Sequence, residues 1–208
     1  MTRLIGIYGA GGCGRGILPI VRENFADSRV VFVDDAQAGA LVNAHHVIDW
    51  IAFLASGATE KFICLAVADG RIRETLAARC DRSNIPLIEA RHTSVVQMDE
   101  VDLGDGACLS PFVALTSNIR IGRGFHANLY SYVEHDCVIG DFVTFAPGVK
   151  CNGNITIGDR AYIGSGAVIR QGLTIGANAV VGMGAVVTRD VPAGATVVGN
   201  PARPLIKG

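Results

Sequence analysis

Aromatic side chains are scarce: they make up 6% of the 208 residues, with a single tryptophan. A chain that is nonetheless 50% hydrophobic has to fill its core with small aliphatic side chains rather than a few rings. An excess of either charge is missing too. Eighteen Lys and Arg stand against nineteen Asp and Glu, a net charge of −1, so nothing in the composition calls for a nucleic acid or an anionic membrane as partner. No apolar run approaches the roughly 20 residues that cross a bilayer. The six cysteines (Cys13, Cys64, Cys80, Cys108, Cys137, Cys151) are scattered without a CxxC pair, as expected for free thiols in a reducing compartment. The first apolar run, "RLIGIY", leads into a glycine loop and not a cleavage site. The expectation is a cytoplasmic protein with no membrane insertion.

Glycine, at 26 residues, is abundant, and it comes with a period. Steps of six from Leu103 reach Leu109, Leu115, Ile121, Ala127, Val133, Ile139, Phe145, Cys151, Ile157, Ile163, Ile169, Ile175, Val181 and Val187 without an insertion. A second small or apolar residue follows four positions later, as at Val113, Cys137, Val143 and Ala161, and glycine often follows the first, as in "IGDFVT" and "IGSGAV". A helix repeats near 3.6 and a half-buried strand near 2, so neither fits. A period of six, with one large inward residue and a glycine, suits a parallel β-solenoid of short straight segments. On that pattern Cys137 and Cys151 face inward and act as small buried hydrophobes.

The first 90 residues read differently. "RLIGIY", "RVVFVDD", "KFICLAVA" and the short "IPLIEA" read as strands, "ILPIVREN" and "DGRIRETLAARC" as helices, the second capped by an aspartate. Alternation of this kind predicts a small parallel α/β sheet. The stretch "RHTSVVQMDEVD" has neither period, which puts the boundary near residue 92: a Rossmann-like domain over 1–92 and a β-helix over 93–208. Gly9, Gly11 and Gly14 form GxGxxG between a strand and a helix, where backbone N–H groups can approach a phosphate; a plain structural turn is the other reading.

The hexads resemble the hexapeptide-repeat acyltransferase family over residues 93 to 203, including the closing "VPAGATVVGNPAR". The resemblance implies a left-handed parallel β-helix with three hexads per triangular coil; crossover rules alone favour the other hand. Fifteen hexads then make five coils, on the order of 24 Å tall at about 4.8 Å per coil. Residues 18 apart stack, in columns expected at the corners. The order of α/β domain before β-helix is similar to the bacillosamine-pathway and perosamine N-acetyltransferases and the sialic-acid O-acetyltransferases. That resemblance implies acetyl-CoA as co-substrate, no metal, a homotrimer, and a nucleotide-sugar or sugar acceptor. It places Gly9, Gly11, Gly12, Asp34 and Asp35 around the nucleotide, with the carboxylates on the base. Cys13 stands where the family loop has a histidine.

One stretch concentrates the chemistry. In "YSYVEHDCVIGDFV" His135 sits between Glu134 and Asp136. Acyl transfer from a thioester needs a base for the attacking group and a proton for the leaving thiolate, and imidazole can do both near neutral pH. A solvated corner histidine is the alternative from the pattern alone; the family motif makes His135 the base and Asp136 its orienter. In register, Ser117, His135 and Gly153 stack, so Gly153 should leave empty volume beside the ring for a thioester carbonyl. By the same resemblance Asn128 aligns with an asparagine near the catalytic histidine of the bacillosamine-pathway enzymes, and a contact to substrate or acetyl group is expected of it. Thr144 replaces a second family histidine that helps hold the acetyl carbonyl, and its hydroxyl is expected to donate there. Gly153, Ser165, Met183 and Arg203 are the expected acetyl-CoA contacts. His126 is the rival proton carrier. The reading is N-acetylation of a nucleotide-activated amino sugar, with O-acetylation of sialic acid or a related precursor as alternative. A carbonic-anhydrase-type zinc site does not fit two helix histidines at this spacing, and a non-enzymatic scaffold remains a further class.

Overall fold

The computed structural model describes residues 3–205. The N-terminal domain runs β1 (Arg3–Tyr8), α1 (Gly12–Asn24), β2 (Arg29–Val33), β3 (Leu41–Val42), β4 (His45–Ile48), α2 (Trp50–Ala55), β5 (Glu60–Leu65) and α3 (Gly70–Arg82). Its sheet has the order β3-β4-β2-β1-β5 and is parallel apart from the β3–β4 hairpin. Strand β1 is central, and all its residues but the first are buried. The α3 cap forms as its sequence predicts, with the Asp69 carboxylate accepting from the N–H groups of Arg71 and Ile72. Helix α1 starts inside the expected glycine turn: a Cβ on Gly14 would lie 1.9 Å from the Gly9 carbonyl oxygen, so only glycine lets the helix begin that close to the strand. The hairpin and α2 have no counterpart in the sequence reading. "IPLIEA" gives the N-terminal sheet only a single bridge, Leu87 to Ile63, because the chain is already turning onto the second domain, where its last residue, Ala90, pairs with Cys108.

That second domain is a triangular prism, a left-handed parallel β-helix built from three sheets of two- and three-residue strands. Face one carries the inward column Leu103, Ile121, Ile139, Ile157 and Ile175. Face two carries Leu109, Ala127, Phe145, Ile163 and Val181, and face three Leu115, Val133, Cys151, Ile169 and Val187. The columns therefore lie on the flat faces and not at the corners, with Cys137 and Cys151 fully buried. All six cysteines are free thiols. The prism also starts earlier than its apolar period. Ala90–Arg91 pairs with Cys108–Leu109, and Val96–Gln97 with Ala114–Leu115. Faces two and three thus hold seven parallel strands and six, about one coil beyond the five expected. Arg91 and Gln97 fill the inward register in that first coil, where the open end of the prism leaves polar groups in reach of water.

The corners explain the glycines. Every sixth residue from Glu100 to Gly184 has a positive φ, one left-handed residue per hexad, which glycine and asparagine accept at low cost. The glycines that follow the inward position serve another purpose. A Cβ on Gly122 or Gly140 would fall 2.8 Å or 2.7 Å from the backbone nitrogen of Asp141 or Asp159 in the next coil, so they permit coil contact rather than a turn. Where a bulky residue takes the left-handed corner, it has a partner. Phe142 is buried in the N-terminal core, Arg160 pairs with Glu74 at 2.9 Å, and Phe112 stacks on Tyr130 at 4.8 Å.

Arg73 of α3 joins the domains. Its side chain is fully buried and donates to the carbonyls of Val67, Ala68, Gly124, Phe142 and Val143 and to the Thr144 hydroxyl, at 2.7–3.0 Å. Burial pushes its pKa down to about 10, so the guanidinium is still charged at neutral pH. Exposed pairs add Arg123 to Asp81 at 2.6 Å. Replacing Arg73 with Met strands several buried acceptors, and each orphan costs about 1–3 kcal/mol. The Arg73→Met chain should therefore lose at least about 3 kcal/mol in chemical denaturation; an unchanged midpoint would show that the junction does not rest on this side chain.

Candidate active site

His135 and Asp136 occupy the corner between the strands Tyr132–Val133 and Val138–Ile139, where faces three and one meet. Asp136 takes the left-handed corner position, with φ 60°. The turn directs both side chains outward, and that of His135 is 47% exposed. His135 Nδ1 lies 2.7 Å from Asp136 Oδ2, and Asn118, one coil earlier, donates from Nδ2 to Asp136 Oδ1 at 3.3 Å. The hydrogen bond to Asp136 raises the imidazole pKa above its ordinary value, and the same bond holds the Asp136 carboxyl below the usual range. With Nδ1–H directed to the carboxylate, neutral His135 presents the Nε2 lone pair outward, and no side chain or backbone group among the described residues bonds to Nε2. Gly153 does stack on His135, but the expected empty volume is absent. A Cβ there would sit 2.6 Å from Cε1, so the imidazole itself fills the space that the glycine leaves.

The glycine loop opens on a different feature, a cavity of about 560 Å³ between α1 and face two. Gly12, Cys13, His126, Asn128, Thr144 and Ser165 all line it; His135 does not. Gly11 faces open space, a Cβ on Gly12 would meet only the Arg15 guanidinium at 3.9 Å, and α1 has neither a side-chain cap nor an acidic residue in its first turn, which leaves its first N–H groups available to an anion. Gly9 holds the loop at φ +112°. The aspartate pair is already engaged. Asp34 accepts from the N–H of Ala10 and Ala36, both at 3.1 Å, and from Gln37 Nε2 at 3.0 Å. Asp35 accepts from the Trp50 N–H at 2.9 Å and pairs with Arg79 at 2.5 Å, contacts that hold its carboxyl below the usual range. Both carboxylates shape the loop and α2 before any base arrives.

Thr144 departs from expectation. Its hydroxyl donates to the Ala68 carbonyl at 2.8 Å and accepts from Arg73 at 2.9 Å; its hydrogen is spent at the domain junction and not directed at an acetyl group. His126, set aside in the sequence as the weaker histidine, pairs with Thr144 in the next coil and is buried. Its Nε2 donates to the Leu65 carbonyl at 2.8 Å, and its Nδ1 faces the Cys13 thiol at 4.0 Å. Burial raises the Cys13 pKa and keeps that sulfur a thiol. The signal for His126 was its spacing: 18 residues before Thr144 puts its imidazole one coil from that hydroxyl on face two. Of the remaining expected residues, Asn128 turns its Oδ1 back to the Leu129 N–H at 2.8 Å, Met183 is 82% exposed, and Arg203 donates to the neighbouring Ala202 carbonyl at 2.9 Å. No group of three or more His, Cys, Asp or Glu among the described residues is placed to hold a metal, and no helix there is long and apolar enough to cross a membrane.

A hexad prism with a carboxylate-held imidazole on one corner, and an α/β domain opening its glycine loop onto one face, defines an acyltransferase of the hexapeptide class. Comparison with known proteins agrees. Residues 154–189 match the bacterial transferase hexapeptide model (six repeats), and residues 4–80 the PglD N-terminal domain. GDP-perosamine N-acetyltransferase of Escherichia coli O157:H7 is 49% identical over 159 residues, 74% of this chain and 72% of that protein. WeeI from Acinetobacter baumannii AYE superposes with a TM-score of 0.97 at 50% identity, over 98% of this chain and 100% of that one. PerB from Caulobacter crescentus, solved with CoA and GDP-perosamine, gives 0.88 at 31% identity over 98% and 97%. The chain belongs to this family of PglD-type sugar acetyltransferases.

The Asp136 carboxylate stabilises the imidazolium, so it raises the pH at which His135 loses its proton. In an NMR titration the His135 midpoint should lie above the ~6.5 of a free imidazole and drop in Asp136→Asn; equal midpoints would dissolve the pair.

Proposed function

We propose that the chain transfers the acetyl group of acetyl-CoA to the amino group of a nucleoside-diphosphate amino sugar, with His135 as general base. The observation that carries this reading is the His135–Asp136 pair on an exposed corner, with Nδ1 held by the carboxylate and Nε2 left without a hydrogen bond among the described residues. Relatives named for perosamine N-acetylation, one of them holding CoA and GDP-perosamine, supply the reaction class.

The amine lone pair attacks the thioester carbonyl carbon, and Nε2 takes an N–H proton as the C–N bond forms. The C–S bond then breaks, and the imidazolium protonates the departing thiolate. Asp136 keeps the ring in the tautomer that can accept and stabilises the cation that results. The diphosphate rests on the open N-terminus of α1 at Gly11 and Gly12, in a loop shaped by Gly9, Asp34 and Asp35. Asn128 and Ser165 on the cavity wall meet the sugar and the pantetheine. Met183 and Arg203 belong to the C-terminal coils, along which CoA extends. Both co-substrates are cytoplasmic metabolites, in keeping with a cytoplasmic location.

Cavity and base lie on different edges of one prism. The cavity covers face two and its corner with face three; His135 stands at the far corner of face three. The outward positions of face three are largely apolar, with Ala114, Tyr132, Val168 and Val186 half-buried and one charged residue, the exposed Lys150, among them. Those of face one are Asp102, Arg120, Val138, Thr156 and Thr174. Packing face three against neighbours in a cyclic trimer brings the His135 edge of one protomer to the cavity of the next.

With GDP-perosamine or a UDP-linked amino sugar, acetyl-CoA should release free thiol. His135→Asn should cut kcat by roughly 10²- to 10⁴-fold with little change in KM. Turnover of free sialic acid in preference to every nucleotide amino sugar would contradict the reading, and undiminished turnover in His135→Asn would remove the base.

A further inference from the structure

An amine acceptor differs from a hydroxyl acceptor in one respect that a protein can read before any chemistry: near neutral pH it arrives as an ammonium. Aliphatic amines titrate from about 8 upward. A carboxylate within reach of the acceptor nitrogen therefore binds the amine and gains nothing from the alcohol. Two carboxylates flank His135. Asp136 is committed, one oxygen to His135 and the other to Asn118. Glu134 is not. Its backbone N–H continues the ladder to the Cys151 carbonyl at 2.9 Å, which sets the side chain outward at the end of face three. There it is half-buried, and among the described residues its carboxylate has neither a hydrogen bond nor an ion pair.

The neighbours in its column do not neutralise it. One coil on, Asn152 is held between the Tyr132 hydroxyl and the Ile169 carbonyl, at 3.0 Å and 2.9 Å. Arg170 lies a further coil away. One coil back, the Thr116 N–H bonds to the Val133 carbonyl at 3.1 Å, which places Thr116 directly below Glu134. The Thr116 hydroxyl is buried without a partner. An orphan hydroxyl lies one coil below an unpaired carboxylate that adjoins His135 in the chain, polar groups left unsatisfied by this chain's own residues.

We propose that Glu134 receives the ammonium of the acceptor sugar beside His135 and so selects an amine over a hydroxyl. This rests on the amino-sugar reading above and explains how the same base avoids O-acetylation. The ammonium donates to the Glu134 carboxylate. One of its protons leaves for solvent by way of His135 Nε2, which frees the nitrogen lone pair and returns the imidazole to its basic form for the attack.

The test measures equilibrium binding, without acetyl-CoA, of GDP-perosamine and of the same nucleotide sugar with hydroxyl in place of the amine. Wild-type protein should prefer the amine by tenfold or more, the range of a hydrogen bond to a charged group. Glu134→Gln should abolish that preference while binding the hydroxyl sugar as before, and Glu134→Asp should restore part of it. An undiminished preference in Glu134→Gln, or equal weakening toward both sugars, overturns the proposal. Wild-type protein that binds neither sugar refutes the amino-sugar reading itself, an outcome distinct from intact binding without discrimination.

Discussion

At the junction of the two domains lies a guanidinium that forms no ion pair among the described residues. Arg73 spends its donors on five carbonyls and one hydroxyl, drawn from the loop before α3 and from two successive coils of the prism. A charge buried this deeply is tolerated only when it is solvated by fixed dipoles, and the solvating groups belong to both domains. The orientation of the glycine loop over face two follows from that constraint, and with it the cavity. Thr144 belongs to the same arrangement: a hydroxyl there accepts from Arg73 and donates to Ala68. A protonated histidine at that position would set a second cation against the first. Thr144 is thus part of the way this chain joins its domains.

The prism contributes rigidity of a different kind. Each hexad needs one left-handed residue and each coil a set of glycines that let backbones touch, so corner side chains stand where the covalent geometry puts them. His135 is held by the hydrogen bond to Asp136 at the corner, and the same bond raises its pKa. The prism holds the His135–Asp136 pair on one edge and the cavity on another, with face three between them.

Much of this was legible as period. The inward columns, the burial of Cys137 and Cys151 and the Asp69 cap follow from spacing and residue type; the choice of Asp136 over Glu134 as the partner of His135 came from the family resemblance, since the sequence offers both carboxylates. The first coil was not, because Arg91 and Gln97 occupy its inward register and break the apolar pattern at an end where water can solvate them. The β3–β4 hairpin and α2 are too short to show a period. The burial of Thr144 and His126 was not legible for one reason: both point outward from the prism, and outward positions on face two are buried only where the N-terminal domain covers them. No local pattern reports a cover supplied from 70 residues away in the chain. The carboxylates of Asp34 and Asp35 were placed correctly at the end of β2, but their partners Ala10, Trp50 and Arg79 come from elements that touch only in the folded domain.

The central claim is a site completed between two copies of the chain, with His135 from one and the glycine-loop cavity from the next. Mixing two individually inactive variants tests it most directly: His135→Ala, which keeps the cavity, and Gly12→Phe, which fills the cavity and keeps the base. Random reassembly into cyclic trimers should restore acetyl transfer to roughly a quarter of the wild-type rate, since one site in four would pair an intact base with an intact cavity. Mixed oligomers that form and stay as inactive as their parents would contradict the account.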